Sequence, residues 1–301
     1  TVADGNTEFN GDVFVSGTVS SSGASDSMNF DGNVTATTIT VNTGDATFAG
    51  DISATTINVD TNDDITFDGS GAQSITGTVV SGTQGEGAIT NSNTGGTVTF
   101  ASALGAVDTE IGTLTTAASS STTFKAAVNA DNILFTDSTL RFEAAVTVDS
   151  DGAGTGTLEF AGTTNTVTIG SGFTNGQTVI SAQGAVTDAG TVTINMPSSI
   201  TNGQTLVLYN AASGTVDATY TANNTGLFTY STALNDTADT VTITATERST
   251  ANIVSTLGVS TNDAKALSAA NGALLGDAAV LQLFSDALTT GGATAKKAAQ
   301  Q

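Results

Sequence analysis

Few side chains in this sequence are suited to chemistry. Its 301 residues hold 28 Asp and Glu, 6 Lys and Arg, and no His or Cys. That composition excludes Ser-His-Asp and Cys-His nucleophile systems, thiolate chemistry, haem ligation through His and zinc fingers. What remains is carboxylate oxygen. Asp60, Asp63 and Asp64 form the densest acidic run, and Asp149 and Asp151 make a second, looser one. Oxygens so placed suit Ca²⁺, which takes about 6–8 of them. Neither run has EF-hand or RTX-nonapeptide spacing, so a solvated turn and a Ca²⁺ site both stay open. Cleavage of an acidic polysaccharide would need Asp clustered with Arg or Lys. Arg141 and Arg248 lie away from any Asp cluster in the sequence. No catalytic residue is expected, and no cofactor beyond Ca²⁺. Six bases are too few for phosphate neutralisation, so nucleic acid is not an expected partner.

The charge is also unevenly placed. Residues 1–124 carry 14 acids and no base; the bases are Lys125, Arg141, Arg248, Lys265, Lys296 and Lys297. A base-free stretch fits a protein outside the cell, where salt or divalent cations screen it. Scattered Asp as gatekeepers on β-rich sequence is the plainer explanation. No stretch reaches the ~18 apolar residues of a membrane-spanning helix. Thr1–Gly5 lacks the basic start of a signal peptide, so an exported chain is expected to be the mature form.

The elements that position these residues follow from a repeat. Residues 33–50 (NVTATTITVNTGDATFAG) align with residues 51–69 (DISATTINVDTNDDITFDG). Val34 matches Ile52, Ile39 matches Ile57, Val41 matches Val59 and Phe48 matches Phe67. Phe-x-Gly closes each unit and recurs at Phe9 and Phe30, giving Phe spacings of 21, 18 and 19. Such a period suits one rung of a parallel β-solenoid. The parity of apolar positions changes at about Thr37 and at Asn42–Asp45, which predicts a triangular rung with Val, Ile and Phe stacked inward. Asp-Gly and Asn-Gly pairs at Gly5, Gly11, Gly32, Gly69, Gly152, Gly176 and Gly203 read as positive-φ turns. The competing reading of these pairs is type I′ hairpins in an antiparallel sandwich.

The expected fold is therefore all-β: a parallel β-helix (β-solenoid) over 1–249, loop-rich over 70–125, with a short C-terminal α-helical segment over 250–301. One rung per ~19 residues predicts at most about 13 rungs over the first 248, since loops lengthen a rung. Phe173–Thr178 and Ile200–Thr205 share Thr-Asn-Gly-Gln-Thr. Thr261 or Asn262 is expected to cap a helix running through Ala270, interrupted at Asn271-Gly272. Leu274, Leu281, Phe284 and Leu288 then fall near helical spacing. That apolar helix needs a cover: the last rung, a neighbouring subunit or a membrane barrel.

Residues 200–210, the spacer with Tyr220, Phe228 and Tyr230, the strand 240–246, Glu247-Arg248 and the Ala/Leu-rich segment resemble the C-terminal end of autotransporter (type V secreted) passenger domains. The resemblance implies a right-handed β-helix at the cell surface whose last rungs assist folding after export. It carries no catalytic residue, and a barrel after Gln301 is expected either to have been removed by processing or to be missing from a related solenoid. Together these readings lead to an extracellular or cell-surface structural protein that polymerises head-to-tail as a homo-oligomer. Phe9, Phe14, Leu274, Leu281, Phe284 and Leu288 are its expected contacts. A monomeric adhesin binding a cell surface or glycan is the alternative, and a polysaccharide-degrading enzyme the distant third.

Overall fold

A computed structural model describes residues 5–21, 27–42, 44–60, 63–149, 156–197, 199–215 and 217–273. The chain winds as a parallel β-solenoid. Its second rung has the strands Ser27–Phe30, Val34–Thr35 and Thr38–Val41. The third opens with Ala46–Phe48, and Ile52–Val59 runs through its corner to serve two faces. The aligned residues fall in register: Val34 beside Ile52, Ile39 beside Ile57, Val41 beside Val59, Phe48 beside Phe67. Parallel pairing of equivalent residues is what the repeat predicts, and it excludes the antiparallel sandwich for this region.

Alternation within each strand points Val, Ile, Leu and Phe into one continuous core, while Thr, Ser and Asn face out. Phe9, Phe30, Phe48 and Phe67 stack along one face, with ring centroids 4.7, 4.9 and 6.1 Å apart. Phe67 then meets Phe100 edge-on at 5.4 Å, and the stack moves to the next face as Phe100, Phe124 and Phe142. Asn91 takes the place Phe67 held in the rung before.

The glycines Gly32, Gly50 and Gly69 of Phe-x-Gly have a different cause from positive φ. Gly11, Gly32 and Gly69 are not left-handed, whereas Gly5, Gly176 and Gly203 are. A Cβ on Gly32 would lie 2.5 Å from the Gly11 carbonyl carbon, and one on Gly50 would lie 2.4 Å from Gly32 O. Glycine is required there because successive turns of backbone touch. Gly152 lies outside the described residues.

Residues 70–125 combine strands with connecting turns, the longest stretch without a strand being 101–110. They carry Gln73–Ser81, Glu86–Asn91, Thr97–Phe100, Ile111–Thr116 and Ser121–Phe124, all in parallel pairing. Thr76, Thr78, Thr99 and Thr123 are outward strand positions, Ser81, Thr116 and Thr122 face inward, and the Asn91–Gly96 turn folds inward. There Asn93 accepts N–H bonds from Gly95 and Gly96 and donates to Gly71 O and Gln73 Oε1. Along each of the two sheets the parallel run holds ten strands among the described residues, within the upper estimate of thirteen rungs. Register partners Ile75–Phe100 and Phe100–Phe124 are 25 and 24 residues apart, so later rungs take more chain than the 19-residue units that set the estimate.

At the C-terminal end the parallel pattern stops. Thr240–Glu247 pairs antiparallel with Thr205–Thr215, and Phe228–Asn235 pairs antiparallel with it in turn. Two helices follow, α1 (Thr250–Leu257) and α2 (Thr261–Ala273). Ser249 caps α1. Ser260, one residue before the expected cap, exchanges hydrogen bonds with Asp263 in a capping box. α2 runs through Asn271-Gly272 instead of breaking there.

Candidate functional site

Three places could carry function, and each is built on the rung repeat. The first is the acidic corner between the third and fourth rungs. Asp63 is buried, its Oδ1 accepts the Gly44 N–H at 2.7 Å, and its Oδ2 is buried with no hydrogen-bond partner among the described residues. Burial pushes the Asp63 carboxyl above its ordinary range, and the charges of Asp60 and Asp45 push the same way, against the Gly44 bond. Burial, then Asp45 and Asp63, also raises Asp64, which opens its strand and donates its N–H to Asp45 Oδ1 at 3.1 Å. So the sequence neighbours Asp60, Asp63 and Asp64 do share one corner, and Asp45 joins them from the rung before. Among the described residues, no three acidic side chains converge as a metal site would require. Asp149 is buried at a left-handed position and accepts the Gly156 N–H at 3.0 Å; Asp151 lies outside the described residues.

Corner acids and amides have a second task. Asp12 Oδ1 accepts the Asn33 N–H, Asn33 Oδ1 accepts the Asp51 N–H, and Asp51 Oδ1 accepts the Ser74 N–H, each at 2.8 Å. Asn132, Asn175 and Asn202 repeat the device later in the chain. Each side chain supplies an acceptor for a corner N–H one strand further on, where the strand ladder is interrupted.

The second place is a buried cluster near the C-terminal end that sequence reasoning missed. Asp188 stands in register with Phe160, where an aromatic residue would continue the stack. Its Oδ1 accepts the N–H groups of Asp217 and Ala218 at 2.6 and 2.8 Å. Its Oδ2 accepts the hydroxyls of Tyr209, at 3.0 Å, and Tyr220. Burial, with the Asp188 charge adding, raises both phenols far above their ordinary range, so they stay protonated donors. Four donors on one buried carboxylate make a tie, with no open position for a substrate. The visible signal was a single Asp at the end of the apolar-alternating run 178–188, against two Tyr downstream.

The third place is the first rung. Asn6–Phe9, Val13–Phe14 and Thr18–Ser20 each pair with the second rung and, among the described residues, with nothing on their other side. Phe9 is half-buried, with one ring face on Phe30. Phe14 is 74% exposed and points sideways, in register with Thr35 on the outer face, away from the stacking axis. It closes one end of a shallow groove that runs on past Asn33, Thr35, Asp51, Ser53 and Thr76. Leu274, Leu281, Phe284 and Leu288 lie outside the described residues.

Arg141 pairs with Glu143 at 2.5 Å on an outer face, and Arg248 Nε donates to Thr225 O. No helix among the described residues is long and apolar enough to cross a membrane. No known family model, curated protein or solved structure matches the chain.

Proposed function

We propose that the chain is an extracellular structural surface protein, a β-solenoid protomer that associates head-to-tail with copies of itself into a filament or layer. The observation that carries this reading is the first rung, whose three strands present unpaired backbone groups along one side among the described residues. An unpaired strand edge is a template for another chain. The two ends of the protomer differ: strand edges and the Phe9 ring at one, an antiparallel hairpin and two helices at the other. A contact between unlike ends is heterologous and does not close on itself. The excess of acid opposes that contact through mutual repulsion, so salt or divalent cations favour it.

Electron microscopy and light scattering across protein, NaCl and CaCl₂ concentrations test the reading. Rods that lengthen in steps of one protomer as the cation concentration rises are expected. Single rods of one length under every condition would overturn it and leave the monomeric adhesin, which is favoured by the outward Thr- and Asn-rich faces.

A further inference from the structure

We infer that the groove beside Phe14 binds a neutral glycan. This inference does not depend on self-association. The groove lies on the side of the solenoid, across three rungs. Its floor is the backbone at Val34 and Ile52, whose side chains are buried in the core. Phe14, Thr35, Ser53 and Thr76 follow one another in register, forming an outward column of one ring and three hydroxyls. The parallel column at the corner holds Asn33 and Asp51. The backbone ladder takes only one polar atom of each, so Asn33 Nδ2 and Asp51 Oδ2 have no protein partner among the described residues. The groove thus presents one aromatic face, an amide donor, a carboxylate acceptor and hydroxyls.

A sugar ring needs that combination: an aromatic face for its C–H side, and donors and acceptors for its hydroxyls. Successive rungs are ~4.8 Å apart, close to the width of a pyranose, so an oligosaccharide lying along the columns meets equivalent groups from rung to rung. Charge selects the class. Residues 1–124 hold no base, so uronates and other anionic sugars find repulsion and no counter-ion. The groove is open to solvent along its length, unlike the enclosed pocket that a buried apolar ligand takes.

The test is titration calorimetry of the purified chain with cellohexaose, maltohexaose, mannohexaose and chitohexaose, and with oligogalacturonate as the anionic control. Saturable binding of at least one neutral hexasaccharide is expected, with none for oligogalacturonate. Phe14→Ala is expected to weaken that binding about tenfold, while Phe14→Tyr, which keeps the ring, binds like the parent. Asp51→Asn keeps the Oδ1 acceptor for Ser74 and loses only the free carboxylate oxygen; it is expected to weaken binding severalfold. Circular dichroism of each variant establishes that it is folded, and light scattering reads self-association separately. Absence of saturable binding to every neutral sugar, unchanged affinity in Phe14→Ala, or preferred binding of oligogalacturonate would each overturn the inference.

Discussion

Single atoms decide much of this fold. Gly50 has no room for a methyl group, because its Cβ would lie 2.4 Å from Gly32 O and 2.5 Å from Gly32 C. Gly50→Ala should cost about 1–3 kcal/mol, read as a lowered melting temperature. Asp188→Ala strands two phenols and two N–H groups in the core. A loss of about 3 kcal/mol or more is expected, and a smaller one for Asp188→Asn, which keeps an acceptor for the N–H pair. The acidic corner gives a pH dependence. Asp63, Asp64 and Asp68 are all raised above the ordinary 3.8, mainly by burial. A raised folded pKa stabilises fully below 3.8 and loses that contribution as pH rises through the folded value. Acidifying from neutral towards 3.8 should therefore raise the melting temperature. Asp63→Asn should raise it at neutral pH and flatten the profile. Asp137, lowered by the N–H groups of Thr164 and Thr163, acts in the other direction and below 3.8, outside that window.

At the scale of elements, the fold was legible wherever a rule acts locally. Inward Val, Ile and Phe alternate with outward Thr, and the repeat aligned four residue pairs that proved to be register partners. The strand bounds within 70–125 were not legible, because their Gly-, Ser- and Thr-rich composition is shared by loops and by strand positions. The inward turn at Asn93 depends on Gly71 and Gln73, which lie a rung away. The hairpin Phe228–Asn235 with Thr240–Glu247 was missed for a similar reason: its partner strand is set by where the solenoid ends. Of the candidate sites, the shared corner of Asp60, Asp63 and Asp64 was visible in sequence. Asp188 was not, since nothing local distinguishes a carboxylate facing the core from one facing water. The same turn sequence builds two links. In each, Gln bridges back to the Thr N–H, at 2.6 Å in Thr174–Gln177 and 2.8 Å in Thr201–Gln204. Asn202→Ala removes the acceptor for the Glu247 N–H and should cost about 1 kcal/mol. Ser260→Ala removes the α2 cap at a similar cost of about 1 kcal/mol. Its effect should appear as faster amide exchange in α2 while the solenoid strands keep their protection.

For the whole molecule, stability is a sum of rungs and of the contacts between neighbours. Tyr230, pushed up to about 12 by burial, and Tyr209 and Tyr220, raised further, all sit near the C-terminal end. Tyrosine fluorescence therefore reports that end alone, since the chain has three Tyr and no Trp. Comparing its denaturation midpoint with that from far-UV circular dichroism tests whether the rungs melt together. Separate midpoints are expected, as for a stack whose rungs contact only their neighbours.

The corner ladder also has a polarity. Asp12 serves Asn33, Asn33 serves Asp51 and Asp51 serves Ser74, always from the earlier rung to the later. Peeling off the last rung of such a run bares carboxylate and amide oxygens, which water solvates readily. Peeling off the first rung instead strips acceptors from backbone N–H groups still held against the rod. Under tension the two ends are therefore unequal: a tether at the N-terminal side should resist a higher force than one at the C-terminal side of the same run. A rod built from such rungs would therefore fray more readily from the C-terminal side of the run than from its N-terminal side.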